Sequence, residues 1–296
     1  MQLRFLSWWG LNKTAFILLL GISACRQSDT TPNPFAGIPA PGQNPTTTAG
    51  VALGKALFFS PLLSGNQKMS CATCHQPENG FSSARKIVSD STPKRPAREI
   101  PHLYNLAWSP TLFWDGREQN LESLVLKPVQ DHREMNLSLK SLLKRVNKDP
   151  VLTRLGKEAY ETDTLGTQHL ARALSQYLRT LQARPAANEG LGKVLFDRHC
   201  SACHPAPFYT DFVLRKSVLA ASGLDSGRFW ISSRPDDVFV FKTPGLNKLA
   251  KTGPYMHDGR LKTLEEVVRQ YARKLPAPGL LQPDSAAALQ QFLNAL

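Results

Sequence analysis

Cys71-Ala72-Thr73-Cys74-His75 and Cys200-Ser201-Ala202-Cys203-His204 are two copies of one five-residue frame. Leu53-Gly54-Lys55-Ala56-Leu57-Phe58 precedes the first copy, and Leu191-Gly192-Lys193-Val194-Leu195-Phe196 precedes the second. Downstream, Trp114-Asp115-Gly116-Arg117 with Leu121-Glu122 is matched by His257-Asp258-Gly259-Arg260 with Leu264-Glu265. Each copy closes on apolar residues at helical spacing, Ala173, Leu174, Tyr177, Leu178 and Leu181 against Ala288, Leu289, Phe292, Leu293 and Leu296. Four matches in the same order mean a tandem of two similar units. Helical periodicity stops near Arg184-Pro185-Ala186-Ala187, so the units are expected at residues 51–184 and 185–296. Alternating β-branched runs are scarce, with Val238-Phe239-Val240-Phe241 the best strand candidate. The fold is expected to be mainly α, two tandem helical domains.

Residues 1–25 combine Arg4 and Lys13 with an apolar stretch from Ala15 to Leu20 and end in Ile22-Ser23-Ala24-Cys25. The apolar run is too short to cross a bilayer as a helix and has the layout of a signal peptide. Its end resembles the lipobox of bacterial lipoproteins, which predicts acylation of Cys25. Residues 26–50 carry five prolines without apolar periodicity and are expected to form a tether. The expected location is the bacterial cell envelope, lipid-anchored and facing the periplasm. Arg26, where an Asp would favour retention at the inner membrane, points to the outer one.

The chain of 296 residues is 42% hydrophobic and 20% charged, a globular balance that argues against a disordered or multi-span protein. Thirty-six Lys and Arg against 23 Asp and Glu give a formal charge of +13. These charges are spread without a long basic block or interleaved aromatics, so nucleic acid is not an expected partner.

In each Cys-x-x-Cys-His frame the two thiols lie one helical turn apart and an imidazole follows directly. That arrangement lets both sulfurs add to haem vinyl groups while the histidine binds iron. A zinc site would gather four protein ligands, and a thioredoxin-like pair would sit in a βαβ setting. Two covalently bound c-type haems are therefore expected, on Cys71, Cys74 and His75 and on Cys200, Cys203 and His204. Attachment of c-type haem needs an exported chain, which the leader supplies independently.

These motifs, together with Phe113-Trp114-Asp115-Gly116-Arg117, Glu134-Met135 and Pro254-Tyr255-Met256-His257-Asp258-Gly259, resemble the bacterial di-haem cytochrome c peroxidase and MauG family. The resemblance extends over nearly the whole chain after Gly50. It implies two cytochrome c-like domains with a haem in each, a calcium ion near their interface, and a tryptophan between the haems, here Trp114. The family's catalytic glutamate lies twenty residues after that tryptophan, which is Glu134 here, and it serves as the acid and base of peroxide cleavage. Many members carry a displaceable histidine in the region bracketed here by Val88 and Thr92, which contains none, so the first haem is expected to be open. A glutamine that assists the glutamate would fall near Leu124, and there is none there either. His102 lies where family members need no ligand.

For the second haem, Met256 offers a thioether in a well-marked loop. The family's sixth ligand instead lies fourteen residues after the loop histidine, which from His257 is Tyr271. The peroxidases usually have Met there and MauG has Tyr, so Tyr271 resembles MauG, with Met256 the alternative. Thr252 and Pro254 match positions whose carbonyls bind calcium, and Glu99 stands where the third ligand is typically Asn.

The function implied is a di-haem peroxidase that reduces hydrogen peroxide at the first haem with electrons relayed through the second. The donor is a small redox carrier or, as in MauG, a protein substrate oxidised from a distance. Arg198 replaces the tryptophan that serves MauG at its protein interface. The alternative is a non-enzymatic di-haem electron-transfer lipoprotein, which would have both irons fully coordinated.

Overall fold

Twelve residues from Thr48 to Phe59 form α1, whose N-cap Thr47 accepts the N–H of Gly50. In this computed structural model, residues 37–83, 98–183, 189–219, 225–275 and 282–296 are described. After α1 come the one-turn helix α2 (Cys71–Cys74), the short α3 (Leu121–Leu124) and α4 (Lys127–Gln130), then α5 (Leu139–Val146), α6 (Pro150–Tyr160) and α7 (Thr167–Thr180). Asp149 caps α6 by accepting from Val151 N and Leu152 N, with Pro150 at the first turn, where its missing N–H costs nothing.

The second half runs α8 (Leu191–His199), β1 (Leu214–Lys216), α9 (Phe229–Ser232), β2 (Val240–Lys242), α10 (Leu264–Lys274) and α11 (Pro283–Ala295). A reciprocal capping box between Thr263 and Glu266 starts α10. The chain is mainly helical. Its two named strands pair antiparallel, with Leu214 opposite Lys242 and Lys216 opposite Val240. The expected strand at Val238–Phe241 thus lies two residues later at its start, because Pro235 to Asp237 turn as a 3-10 helix and Phe239 adopts a positive φ.

Two separate hydrophobic cores follow the internal repeat. One gathers buried residues from Leu53 to Leu181 and the other from Leu195 to Leu296. In the first, α1 crosses α7 at Gly54, where a Cβ would come 2.0 Å from Ala173 O. In the second, α8 crosses α11 at Gly192, where a Cβ would come 2.2 Å from Ala288 O. The repeated glycine therefore marks one helix crossing built twice, too close for any side chain.

The second repeated motif also has one geometry. Leu112 N–H bonds Glu118 O at 2.7 Å, and Tyr255 N–H bonds Leu261 O at 2.8 Å. Phe113 and Met256 both take positive φ, as do Gly116 and Gly259. Arg117 pairs with Asp115 at 2.7 Å and Arg260 with Asp258 at 2.9 Å. A further correspondence has almost no sequence signature. Asn105 N–H caps Leu181 O at 2.8 Å, Lys248 N–H caps Leu296 O at 2.8 Å, and both donors are left-handed.

Packing begins earlier than the tether expected through residue 50. Asn44 is buried and donates to Glu122 Oε1, while Gln176 Oε1 receives the N–H of Thr47 at 2.9 Å. A proline-rich stretch without apolar periodicity is held here by side-chain hydrogen bonds, which hydropathy does not register. Cys25 and the rest of the leader lie outside the described residues, and no helix among the described residues is long and apolar enough to cross a membrane.

Candidate functional site

A single cavity of about 470 Å³ runs between the halves and is lined by both frame histidines. The left-handed residues Phe81 and Tyr209 turn their carbonyls onto those rings. His75 Nδ1 lies 3.1 Å from Phe81 O, and His204 Nδ1 lies 2.9 Å from Tyr209 O. An N–H donated from Nδ1 to a carbonyl leaves Nε2 as the metal-facing nitrogen. Burial holds His75 neutral, with its pKa drawn down to about 4, and lowers that of His204 as well. Neutral imidazole is the form that binds iron.

Cys71, Cys74, Cys200 and Cys203 are not joined in disulfides. Burial pushes Cys71 up to about 12 and Cys200 to about 11, so neither is a thiolate. Two thiols on one turn with an oriented neutral imidazole, present twice and with both histidines bordering one largely apolar cavity, fit covalent haem on both frames.

His102 also borders the cavity, yet both of its nitrogens are engaged. Nε2 lies 2.9 Å from Gly245 O, and Nδ1 accepts the N–H of Tyr104 at 3.2 Å. It ties the first half to the second and has no lone pair free for a metal.

Trp114 sits in the cavity wall. Its Nε1–H donates to Glu99 O at 3.0 Å, and its own carbonyl receives Lys242 N–H at 2.8 Å. The adjacent Asp115 is buried and accepts from Arg98 at 2.6 Å and Arg117 at 2.7 Å. Arg98 reaches on to Asp225 at 2.7 Å, so one guanidinium joins carboxylates from both halves. Phe113 lies under the Arg117 guanidinium, 3.5 Å from ring centre to carbon.

Glu134 follows α4 in a turn closed by its N–H to Asp131 O at 3.0 Å, and it borders the cavity half-buried. Burial chiefly raises its pKa, helped by the charge of Asp131 and opposed by Arg133 and Arg117. Asp131 is held at about 2 by its hydrogen bond to Arg133. A carboxyl tuned upward beside an apolar cavity suits proton transfer. Leu124 borders the same cavity and supplies no polar assistance.

Both candidates for the last ligand position border the cavity, Met256 from its left-handed turn and Tyr271 from α10. Burial pushes the Tyr271 phenol up to about 12, and Cys200 and Cys203 are near enough to add to that rise. His257 is buried, stacked on Phe241 at 4.0 Å, with Nε2 3.9 Å from Asp225. Those contacts give it a packing role.

Glu99 is buried, and desolvation raises its carboxyl to about 9 against the opposing hydrogen bond from Ser82 at 3.0 Å. Its N–H bonds His257 O at 2.8 Å, which sets it beside the loop carrying Thr252 and Pro254. No cluster of three or more His, Cys, Asp or Glu suited to a metal occurs among the described residues. Val88 to Thr92 lie outside them.

Sequence reasoning missed three features. Lys242 borders the cavity, and Arg98 joins the halves; neither carries a motif. The third was legible. Counting seven residues from Leu264 reaches Tyr271, and the same count from Leu121 reaches Pro128, which also borders the cavity. The two halves thus differ at matched positions, a phenol in one and a residue with no ligating side chain in the other.

The family model described as "Di-haem cytochrome c peroxidase" matches residues 48–189. The chain is 35% identical over 256 residues to the methylamine utilization protein MauG of Methylorubrum extorquens, covering 80% of this chain and 72% of that one. It is 27% identical over 269 residues to cytochrome c551 peroxidase of Pseudomonas aeruginosa, covering 82% and 77%. In fold it is similar to a MauG-like protein associated with microbial copper homeostasis, with a TM-score of 0.77 at 24% identity over 87% of this chain and 92% of that one. The di-haem peroxidase BthA of Burkholderia thailandensis gives a TM-score of 0.66 at 20% identity, covering 84% and 87%. The family implies two haems. The chain belongs to the di-haem cytochrome c peroxidase and MauG family and is a peroxidase-type oxidoreductase.

Proposed function

We propose that the protein reduces hydrogen peroxide at the haem of the first Cys-x-x-Cys-His frame, with electrons supplied through the second. The observation that carries this reading is the contrast between Pro128 and Tyr271 at matched positions of the repeat. With both nitrogens engaged, His102 would not cap an iron held by His75, which supports leaving that site open to a small oxidant.

The haem irons, when bound, supply the electron-transfer chemistry of peroxide reduction. Glu134, when ionised, takes a proton from the bound peroxide and returns it to the departing oxygen, so that water leaves rather than hydroxide. Trp114 is the aromatic link between the two sites, held in orientation by Glu99 O and by the strand that ends in Lys242. Tyr271 caps the second site, in preference to Met256, because its hydroxyl has no hydrogen-bond partner among the described residues and lies close to Cys200 and Cys203. A phenolate ligand favours ferric iron, which suits a second site that holds an oxidising equivalent until a donor arrives.

The electron donor is a redox carrier or, as the likeness to MauG suggests, a protein oxidised at its surface. Glu99 with the Thr252 and Pro254 carbonyls is the proposed calcium site, since a hard cation would supply the charge partner that the buried carboxyl lacks. Acylation of Cys25, and through it attachment to the periplasmic face of the outer membrane, completes the proposal.

The test is anaerobic addition of hydrogen peroxide to pre-reduced holoprotein in the presence of a reduced c-type carrier. Peroxide-dependent oxidation of two carrier equivalents per peroxide supports the reading. Two intact haems with no peroxide consumption would leave the electron carrier instead.

A further inference from the structure

Lys242 ends β2 at the joint between the two halves. Its N–H is bonded to Trp114 O at 2.8 Å, and it pairs with Leu214 across the ladder. Its ammonium reaches back to the first half, donating to Ser109 Oγ at 3.2 Å and Thr111 O at 3.0 Å. Both are neutral oxygens, and no carboxylate forms an ion pair with this lysine among the described residues.

The nearby acids are committed elsewhere. Asp115 accepts from Arg98 and Arg117, Asp225 from Arg98, and Asp211 from Arg215. Burial alone lowers the lysine to about 8. A shielded ammonium without a counter-ion is an expensive arrangement for a folded chain to keep. Thr111, whose carbonyl holds that ammonium, also keeps its hydroxyl buried with no partner. At one point of the joint, then, an ammonium has only neutral acceptors and a neighbouring hydroxyl has no partner. Lys242 borders the same cavity as His75, His204 and Trp114.

The group that would enter this cavity carries two carboxylates of its own. We propose that Lys242 is the counter-charge of a haem propionate at the joint between the halves. This rests on the reading that two c-type haems are attached. The ion pair places a fixed positive charge next to the carboxylate of one porphyrin, on the element strapped to Trp114. It makes Lys242 a positioning residue, one that seats a haem against the bridging indole and sets that haem's potential. A cation beside a propionate favours ferrous iron, so losing it lowers the potential of the haem concerned and leaves the other unchanged.

The experiment is a spectroelectrochemical titration of wild-type, Lys242→Gln and Lys242→Arg holoproteins, after haem content has been measured by the pyridine haemochrome assay. The expected result for Lys242→Gln is two haems per chain with one midpoint potential lowered by about 59 mV, a roughly tenfold change in the one-electron equilibrium. Lys242→Arg, which keeps the charge, restores it. Unmoved potentials in Lys242→Gln, or a shift that Lys242→Arg fails to reverse, would overturn the assignment while leaving the peroxidase reading intact. A wild-type protein with fewer than two haems would overturn both.

Discussion

The indole Nε1–H of Trp114 is bonded to the backbone carbonyl of Glu99 at 3.0 Å. The bond fixes the plane of the ring in the wall of the cavity that both frame histidines share. Trp114→Phe keeps an aromatic face but loses the donor and leaves a carbonyl without its partner, a cost of about 1–3 kcal/mol in stability. The expected variant retains two haems, melts earlier, and transfers electrons between its haems more slowly after rapid mixing with one equivalent of reductant. Unchanged transfer kinetics would remove Trp114 from the path.

Glu134 is the proposed proton-transfer group of the first site. Glu134→Gln preserves shape and removes basicity, so kcat for peroxide reduction should fall by about 10²–10⁴ while haem content and both reduction potentials hold. Steady-state assays beside a redox titration check this. A loss below tenfold would mean that solvent moves the proton.

The pH profile follows from two neighbouring carboxyls. Burial raises Glu134, the charge of Asp131 raises it further, and Asp131, at about 2, stays ionised over any working pH. Under the proposed role, ionised Glu134 deprotonates peroxide, so kcat/KM should rise with pH through the raised pKa. Asp131→Asn removes a negative charge and frees Arg133, and both changes lower the pKa of Glu134. The acidic limb should therefore move to lower pH. Movement to higher pH would contradict the assignment. Stability has its own window: the depressed pKa of Asp131 contributes stabilisation above its ordinary value near 3.8, lost as pH falls through about 2.

The doubled helix crossing gives a prediction about folding. A methyl at Gly54 would lie 2.0 Å from Ala173 O, and one at Gly192 would lie 2.2 Å from Ala288 O, in both cases against backbone. Gly54→Ala and Gly192→Ala should each destabilise by about 1–3 kcal/mol by overpacking. Gly42→Ala, with nothing within 4 Å of the added carbon, is the neutral control. Thermal melts of the three holoproteins decide it, and a Gly54→Ala protein as stable as the control would refute the crossing.

What the sequence made legible was repetition. Gly54 with Gly192, and Asp115-Gly116-Arg117 with Asp258-Gly259-Arg260, are repeated because each does one backbone job twice, and such jobs restrict residue identity tightly. Asn105 and Lys248 serve as paired caps for Leu181 and Leu296 through main-chain atoms, so their side chains are free to differ. The Asn44 anchor and the Arg98 link to Asp225 join residues far apart in the chain, and no local pattern announces them. Burial of the Lys242 ammonium is a property of the assembled joint. A lysine at the end of a short strand reads as an exposed one. Pro128 needed only the repeat to be counted one step further.

The proposed reaction requires two irons in unlike surroundings, one with an open face and one capped by Tyr271. Electron paramagnetic resonance of the ferric holoprotein, before and after one equivalent of hydrogen peroxide, measures this directly. The predicted spectrum has one high-spin and one low-spin signal, the high-spin signal is lost on adding peroxide, and Tyr271→Met alters the low-spin signal. Two low-spin signals, both indifferent to peroxide, would contradict it.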